Sequence, residues 1–396
     1  MEDLKRTYHR LIRETEIERF RYLYGNIRWT NRLIGIMGAR GTGKTTMILQ
    51  HIKKTFPNRD EALYVSLDNI WFTSHSLLDL AEQFYDYGGT HLFLDEVHRY
   101  AGWATEIKNI YDSFPRLHII FTGSSLLEVS KSQADLSRRT VCYSLLGLSF
   151  REFLQFENKL EQTPVTLDDI LTNHQNLAEE ICGKVKILPE FRNYLTYGYY
   201  PFYKESIEDY SSKLQSVINL IFDSDLPAVE NVEYVTTWKI KKLLLIIASL
   251  SPYSPNITQL SNDIESNRSA TLKYLTYLQK AALLRLLAPA QKTMGVLSKP
   301  EKIFLDNSNL LYSLTSNANI GNVRETYFAN QLSANQNITS SKQGDFRIDE
   351  KYIFEIGGKS KTYQQIKNIE NSFIAADDLE VGYGNKIPLW LFGFLY

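Results

Sequence analysis

A glycine-rich segment near the beginning of the chain has the residue types of a phosphate-binding loop. Its eight residues are Gly38, Ala39, Arg40, Gly41, Thr42, Gly43, Lys44 and Thr45, and Thr46 follows them. Glycines let the backbone take conformations that a side chain would forbid, so successive N–H groups can converge on a polyphosphate at the start of a helix. In this pattern Lys44 reaches the β- and γ-phosphates, and the Thr45 hydroxyl ligates Mg²⁺. The segment therefore predicts a site for ATP with Mg²⁺.

Two adjacent carboxylates follow an apolar run downstream of this loop. The run extends from His91 to Leu94, and Asp95 and Glu96 come directly after it. Asp95 is predicted to hold the Mg²⁺, directly or through water, and Glu96 to polarise a water for in-line attack on the γ-phosphorus. Taken alone, the motif would also suit the exposed acidic end of a strand. Its position after the glycine-rich loop favours the catalytic interpretation.

Hydroxyl and guanidinium groups further along are candidates for the same site. The apolar run from Ile119 to Thr122 is followed closely by Ser124. At the carboxyl edge of a sheet, Thr122 or Ser124 would sense the γ-phosphate or orient the water. Arg138 or Arg139 would neutralise charge that develops in the transition state, in its own active site or in a neighbour's. An exposed arginine pair is the alternative.

Strands, loops and helices must alternate to position these residues. Short apolar runs predict strands at 32–37, 62–67, 91–94 and 117–122, and helical spacing predicts helices at 45–54, 76–85 and 103–111. This alternation indicates an α/β fold, with a parallel sheet covered by helices on both faces. A further helix over 3–24 is expected to pack against this core.

Four domains are predicted along the chain. A P-loop ATPase core with its N-terminal helix occupies 1–150, and acidic amphipathic helices with breakers indicate a helical lid over 151–235. Three helices and a hairpin indicate a winged helix-turn-helix over 236–305. A helix mixed with alternating strands indicates a small α/β domain over 306–396.

Several of these motifs together resemble those of the widespread prokaryotic ATPases of the AAA superfamily whose C-terminal region was long catalogued as a domain of unknown function. The similar segments are the octet, Leu67-Asp68, Leu94-Asp95-Glu96, Thr122-Gly123-Ser124-Ser125, the run from Leu146 to Phe153, the run from Ile303 to Leu311, Arg324-Glu325 and Phe354-Glu355. The resemblance implies an AAA-type core with a helical lid and a winged helix, often followed by a domain folded like a restriction endonuclease.

The same resemblance implies roles for particular residues. Lys44 and Thr45 match the phosphate and magnesium positions, and Asp95 and Glu96 match the magnesium and water-activating positions.

An arginine role is also implied. Arg139 matches an arginine that usually follows a glycine in the family, whereas Arg138 stands in place of that glycine here. Either arginine therefore remains a candidate for approaching the nucleotide. Because a hexamer is usual for the superfamily, the resemblance also implies a homo-oligomer.

Charge is distributed unevenly along the chain. Residues 236–302 contain ten Lys and Arg against three Asp and Glu, whereas 151–235 contain seven against fifteen. The predicted recognition helix carries Arg268, Lys273 and Lys280, whose cations would neutralise DNA phosphates. A winged helix can instead serve as a protein-docking module, and the acidic segment upstream offers an internal partner. DNA and protein therefore both remain candidate partners.

Carboxylates in the last domain raise the question of a nuclease. Metal-dependent nucleases of the restriction type place an Asp and a Glu, here Asp345 and Glu355, around a divalent cation, with a Lys two residues after the Glu. Gly357 occupies that position here, and Lys359 lies two residues further along the same face of an extended strand. Glu325 lies upstream on a predicted helix. The substitution favours a catalytically silent nuclease-like fold over an active nuclease, with an unrelated fold as the remaining alternative.

Length and composition limit the classes of protein to which the chain can belong. The 396 residues are 43% hydrophobic, which excludes wholesale disorder. The longest apolar run, Leu243 to Leu250, is far shorter than the roughly 18 residues that cross a membrane. A charged start without an apolar export region, and only two cysteines, predict a cytoplasmic protein. His98 and Cys142 lack the spacing of a metal site and are expected to be packing residues.

The sequence thus predicts a Mg²⁺-dependent ATPase. Its nucleotide state would change how the lid and the winged helix sit on the core, with a nucleic-acid transaction as the output. One alternative is a nucleotide-gated switch with slow turnover that docks a protein. Another is an ATP-regulated nuclease.

Overall fold

The computed structural model describes residues 1–124, 136, 138–230, 232–250, 252–288 and 299–396. By their contacts these residues form two compact units, the first comprising Met1–Leu146 and Asn219–Glu233, and the second Gly147–Ile218 and Tyr234–Tyr396. Within the described ranges, none of the helices is both long and apolar enough to span a membrane. The four-domain division stays a prediction. Residues 219–233, which that division places in the lid, belong to the first unit.

The first unit is built on a five-stranded parallel sheet. Its strands are β1 (Leu33–Gly38), β2 (Ala62–Ser66), β3 (His91–Asp95), β4 (His118–Ser124) and β5 (Val141–Ser144). They are arranged in the order β2-β3-β4-β1-β5, which confirms the predicted α/β fold with a parallel sheet. β5 is not among the predicted strands, because this edge strand has only four residues and is mostly exposed. Cys142, expected to be a packing residue, is exposed on it, so that prediction is wrong.

Helices cover the sheet of the first unit. They are α1 (Glu2–Glu14), α2 (Lys44–Thr55), α3 (Leu77–Asp86) and α4 (Trp103–Ser113). α2 packs on β1, α4 on β4, and α1 on both β2 and α2. α1 ends at Glu14 instead of reaching residue 24, because Thr15 is extended and its hydroxyl donates to the Leu11 carbonyl at 2.8 Å.

The second unit begins with helices and ends in a sheet. The helices that follow along the chain are α5 (Phe150–Phe156), α6 (Leu167–Cys182), α7 (Ile187–Tyr197), α8 (Tyr210–Leu220), α9 (Leu226–Glu230, in the first unit), α10 (Tyr234–Leu250), α11 (Ile257–Asp263), α12 (Arg268–Lys280), α13 (Ser308–Leu314) and α14 (Ile320–Leu332). An antiparallel pair, β6 (Leu284–Leu287) and β7 (Lys302–Leu305), follows α12.

A mixed sheet closes the second unit. Its strands are β8 (Ile338–Ser340), β9 (Phe346–Ile348), β10 (Tyr352–Gly357), β11 (Ser372–Ala376) and β12 (Lys386–Pro388), in the order β12-β11-β10-β9-β8. The pairs β8–β9 and β9–β10 are antiparallel, whereas β10–β11 and β11–β12 are parallel. α14 packs against β10, at the centre of this sheet.

The segment 219–233 packs beside the sheet of the first unit. It contains a single π-helical turn, Ile221–Asp225, that continues into α9. α9 contacts the 3₁₀ turn Val97–Arg99, which directly follows β3 and Glu96. Residues far apart in the sequence are thereby brought to the carboxyl end of β3.

Candidate functional site

The parallel register gathers the candidate residues at one edge of the sheet. Gly38, at the end of β1, pairs with Ser124 at the end of β4, and Ser66 pairs with Asp95 at the end of β3. Ligands of open α/β sheets bind outside the carboxyl ends of the strands. The predicted loop, carboxylates and hydroxyl therefore share this edge.

The loop between β1 and α2 has the glycines that its backbone requires. Gly41 and Gly43 have φ angles of +82° and +91°, a left-handed conformation that disfavours any side chain. A Cβ added to Gly38 would collide with the backbone carbonyl oxygen of Leu145. Thr42 is fully buried, and its hydroxyl donates to the Ala39 carbonyl at 2.9 Å. These features constrain the backbone conformation of the loop up to the start of α2.

Arg21 supports this loop from the segment before β1. Its guanidinium is buried and donates to the carbonyl of Thr42 and, at 2.8 Å, to the carbonyl of Leu146. Sequence reasoning missed Arg21, since it lies in no motif and both acceptors are backbone atoms distant in sequence.

Lys44 lies inside the loop that precedes it. Its ammonium is buried and donates to the carbonyls of Gly38 at 2.9 Å and Ala39 at 3.0 Å. Burial lowers the pKa of Lys44, and the carboxylates of Glu96 and Asp95 act in the opposite direction. A cation in this position can exchange its carbonyl partners for phosphate oxygens.

Thr45 and Asp95, the two predicted magnesium ligands, are in direct contact. The Thr45 hydroxyl donates to Asp95 Oδ2 at 2.7 Å, and the Tyr64 hydroxyl donates to the same oxygen at 2.8 Å. Thr122 donates to Asp95 Oδ1, and Asp95 itself is buried.

Among the residues that the structure describes, no group of three His, Cys, Asp or Glu side chains could hold a metal ion. A site with one carboxylate and one hydroxyl still fits Mg²⁺, because this ion keeps several waters and takes substrate phosphates as ligands. The hard oxygen donors of Thr45 and Asp95 suit Mg²⁺ in the presence of ATP.

Glu96 has an unusual backbone conformation and a carboxylate oxygen that accepts no hydrogen bond from a described residue. Its φ of +53° is uncommon for a residue other than glycine, and such strain concentrates at functional sites. Its N–H donates to the Thr122 hydroxyl at 3.2 Å, which fixes the turn after β3. Its carboxylate oxygen Oε2 is buried without a hydrogen-bond partner among the described residues. A buried acceptor of this kind is suited to a water or a ligand.

Two side chains flank the Glu96 carboxylate. Arg40 Nη1 lies 3.7 Å from Glu96 Oε2, and His98 Nε2 lies 3.3 Å from it. Both groups also contact Asp225, on the segment 219–233. His98 is buried, as expected for a packing residue, but its ring also contacts two carboxylates. Asp225 carries no sequence motif and was not foreseen.

The remaining candidates occupy different places. Ser124 is buried at the end of β4, and Thr46 is exposed in the first turn of α2. Arg138 is exposed, and Arg139 donates to Asp112 at 3.0 Å, near the C-terminal end of α4. The structure therefore pairs Arg139 with a residue outside the cluster around Asp95, and its catalytic role stays a prediction. Ser125 lies outside the described residues.

Lysines contact the three carboxylates of the predicted nuclease site in the second unit. Lys302 lies 3.2 Å from Glu325 and 3.8 Å from Asp345, and Glu355 pairs with Lys361 instead of Lys359. Burial raises the pKa of Glu325 and of Glu355, and the Asp345 carboxylate raises both further.

Comparison with known proteins gives two family matches. Residues 30–154 match a family model described as an AAA domain, and residues 188–320 match one described as a domain of unknown function (DUF8612). No curated protein matches the chain.

Some solved structures show weak similarity to the chain. AMPPCP-bound DnaA from Aquifex aeolicus is 15% identical over 70% of this chain and 88% of its own, with a TM-score of 0.29. A DNA polymerase III gamma subunit-related protein from Thermotoga maritima is 13% identical over 70% of this chain and 84% of its own, with a TM-score of 0.26. PCH-2 from C. elegans is 18% identical over 43% of this chain and 51% of its own, with a TM-score of 0.24. TM-scores this low do not establish a shared fold. The family match and the loop geometry support an AAA-type P-loop nucleotide-binding domain over residues 30–154.

Proposed function

We propose that the protein is a Mg²⁺-dependent ATPase whose nucleotide state positions its downstream domains. The observation that carries the proposal is the 2.7 Å contact between the Thr45 hydroxyl and Asp95 Oδ2, beside the buried Lys44 ammonium. The proposal is supported because hard oxygen donors that suit Mg²⁺ and a buried ammonium that suits phosphate lie at the same edge of the sheet.

Each residue has one task in the proposed reaction. The loop N–H groups and Lys44 bind the β- and γ-phosphates, while Thr45 and Asp95 hold the Mg²⁺, which neutralises phosphate charge when bound. Glu96 accepts a hydrogen bond from the attacking water through Oε2 and takes its proton as the water attacks the γ-phosphorus. The bond from the γ-phosphorus to the bridging oxygen breaks, and ADP leaves with that oxygen. Ser124 is assigned to orienting the phosphate.

Arg139 is assigned a role in trans. Because it pairs with Asp112 at the C-terminal end of α4, it is a candidate to complete the site of a neighbouring copy rather than its own. This assignment requires a homo-oligomer. Mixing inactive Lys44→Ala chains with inactive Arg139→Ala chains should restore hydrolysis if the arginine acts in trans, and no restoration would contradict it.

Two substitutions test the ATPase proposal. Lys44→Ala should weaken Mg·ATP binding, measured by calorimetry, while Glu96→Gln should keep binding but slow phosphate release by about 100-fold, since general base catalysis contributes about 10²–10⁴. The exposed Glu82 on α3 gives a matched control, because Glu82→Gln should change neither quantity. Wild-type turnover in the Glu96→Gln variant would reject the assignment.

We further propose DNA as the downstream target, through a winged helix formed by α10, α11, α12 and the β6–β7 pair. Arg268 and Lys273 are exposed on α12, where they can neutralise phosphates. Tyr274 and Tyr277 on the same helix are buried, so base stacking by these rings is not part of the proposal.

DNA binding is tested by its salt dependence. Duplex DNA should stimulate hydrolysis, and Lys273→Ala should weaken binding and flatten its dependence on salt, because fewer counterions are released. Lys342→Ala, an exposed lysine elsewhere in the second unit, is the control. Binding that is insensitive to salt, together with unstimulated hydrolysis, would reject DNA as the target.

A protein-docking switch is the second candidate. It is favoured by exposed apolar side chains on α10, where Trp238 is 53% and Leu245 is 49% exposed. Under this candidate, an ATP-bound Glu96→Gln variant would retain a protein partner that the nucleotide-free protein releases.

A nuclease-like fold is proposed for the final domain without nuclease activity. The support is that the two carboxylates that would bind a divalent cation already contact lysines, Asp345 with Lys302 and Glu355 with Lys361. Mg²⁺-dependent DNA cleavage that disappears in both Asp345→Ala and Glu355→Ala variants would overturn this view.

A further inference from the structure

A cluster of five ionisable side chains surrounds the turn after β3, all within the first unit. We name it the Glu96 cluster, and its members are Arg40, Glu96, His98, Arg99 and Asp225. Two carboxylates and three basic side chains are thus in contact. Asp225, Arg99 and His98 have no task in the ATP hydrolysis proposed above.

Asp225 is the most buried carboxylate of this cluster. Its side chain is 1% exposed, on the π-helical turn Ile221–Asp225. It lies 3.2 Å from Arg40 Nη1, 3.4 Å from His98 Nε2 and 3.3 Å from Arg99 Nη2. Burial alone would raise the pKa of Asp225, but the hydrogen bond from His98 and the charges of Arg40 and Arg99 lower it on balance. Asp225 is therefore an ionised carboxylate at neutral pH.

Arg40 and His98 contact both carboxylates, but they hydrogen-bond only one of the two. Arg40 Nη1 donates to both oxygens of Asp225, at 3.2 and 3.3 Å, and His98 Nε2 shares a hydrogen bond with Asp225 Oδ1 at 3.4 Å. The same two nitrogens lie within 3.7 Å of Glu96 Oε2, yet that oxygen accepts no hydrogen bond from a described residue. Asp225 thus competes with Glu96 for the same two donors.

This competition bears on the chemistry of Glu96. A carboxylate oxygen that already accepts a hydrogen bond from a guanidinium is blocked for a water. A general base must lie within hydrogen-bond reach of the water that it deprotonates. Glu96 Oε2 can accept the proton of that water only while no donor group occupies it.

We propose that Asp225 is a positioning residue for ATP hydrolysis: it binds Arg40 and His98, and so keeps Glu96 Oε2 available to the attacking water. The inference rests on the proposed ATPase function and adds a residue to its site. Without Asp225, the Arg40 guanidinium moves from 3.7 Å into hydrogen-bond range of Glu96 Oε2, and hydrolysis slows although ATP still binds.

The test compares kcat with KM for ATP. Asp225→Ala should lower kcat by about 10- to 100-fold, a fraction of what a general base contributes, while KM changes less than about threefold. Asp225→Asn, which preserves the shape of the side chain, should lower kcat in the same direction but by less. Asp223→Asn is the matched control, because Asp223 is exposed on the same turn.

A double variant separates positioning from a general structural role. Removing Arg40 as well, in Asp225→Ala/Arg40→Ala, should raise kcat at saturating ATP at least about fivefold above Asp225→Ala, since the competing cation is gone. A kcat equal to the product of the two single losses would overturn the inference. So would an unchanged kcat in both Asp225 variants, given circular dichroism spectra like those of the wild type.

Wild-type hydrolysis, measured in the same assay, distinguishes the two levels of proposal. If the wild type does not hydrolyse ATP, the ATPase proposal fails and the role of Asp225 fails with it. If the wild type hydrolyses ATP and the Asp225 variants match it, the ATPase proposal stands and only the positioning role is rejected.

Discussion

Hydroxyl groups, rather than further carboxylates, surround the residue assigned to hold Mg²⁺. Thr45 and Tyr64 both donate to Asp95 Oδ2, and Thr122 donates to Oδ1. Burial and the neighbouring Asp95 carboxylate raise the pKa of the Tyr64 phenol far above its ordinary value, so it remains a donor. These three hydrogen bonds orient the Asp95 carboxylate.

Tyr64→Phe should therefore weaken Mg²⁺ activation without changing the fold. Groups that orient a metal ligand typically contribute about 10- to 100-fold in affinity, so the Mg²⁺ concentration for half-maximal hydrolysis should rise at least about tenfold. The measurement is a Mg²⁺ titration at saturating ATP, with Tyr85→Phe, on α3, as the control. An unchanged titration curve would show that Tyr64 has no part in orienting Asp95.

His51 makes the stability of the first unit depend on pH. Its ring stacks on Trp29 with a 3.7 Å separation, and burial lowers its pKa from 6.5 to about 4. The unfolded chain therefore binds a proton between these values while the folded unit does not. The contribution of neutral His51 to the stability of the folded unit is fully present above pH 6.5 and is lost as the pH falls to about 4.

The loss should be about 3 kcal/mol, because one pKa unit corresponds to about 1.36 kcal/mol. His51→Phe should flatten the free energy of unfolding between pH 6.5 and 4, measured by urea denaturation. His75→Gln, at an exposed histidine, should leave the slope unchanged. An equal slope in the wild type and in His51→Phe would contradict the assignment, although His91, whose pKa burial also lowers to about 4, will leave part of the slope in place.

At the scale of elements, Lys302 joins β7 to the final sheet and its helix. It contacts Glu325 on α14 and Asp345 just before β9. Because burial raises the pKa of Glu325 above 4.5, ionisation of this group reduces stability as the pH rises through the folded value. Lys302 offsets part of that reduction.

Lys302→Met should thus destabilise the second unit by an amount that grows with pH. The effect should be small below pH 4.5, where Glu325 is protonated in both states, and about 2 kcal/mol at pH 7, less than for a fully buried pair. Urea denaturation at pH 4 and pH 7 measures the difference, with Lys342→Met as the exposed control. A destabilisation that is equal at both pH values would contradict this account.

The sequence predicted the elements that carry strong local signals. Apolar runs located β1 to β4, and the glycine spacing located the loop and the start of α2 within one residue. β5 was not predicted because it has only four residues and is mostly exposed, and α1 ended early because the Thr15 hydroxyl binds the helix backbone.

The candidate site was predicted only where chemistry is local in sequence. Thr45, Asp95 and Glu96 follow from motifs, since each sits at the end of a recognisable element. Arg21 and Asp225 could not be found, because their partners are separated by up to 185 residues and are brought together only by packing. A buried charge that is paired through the fold leaves no periodic signal in the sequence.

At the scale of the whole molecule, chain order and packing disagree for residues 219–233. These residues lie between two parts of the second unit in sequence but belong to the first unit by contact. Through Asp225 they contact Arg40 of the phosphate loop. Any ligand that orders the loop should therefore also order this segment.

Hydrogen exchange of the full chain tests the coupling. A ligand at about 100 times its Kd stabilises the state that binds it by about 2.7 kcal/mol. Mg·ATP should therefore slow hydrogen exchange both in the loop and in residues 219–233. In the Lys44→Ala variant, Mg·ATP should slow exchange in neither segment. Because ATP and ADP differ only at the γ-phosphate, a difference between them beyond the first unit must originate at the groups assigned to that phosphate or to the attacking water, which include Lys44, Glu96 and Ser124. In the Glu96→Gln variant, which keeps ATP intact, we expect exchange in α10 to α12 to differ between the two nucleotides. Identical exchange there with ATP and ADP would confine the nucleotide's effect to the first unit and contradict the proposed switching function, while leaving hydrolysis itself untouched.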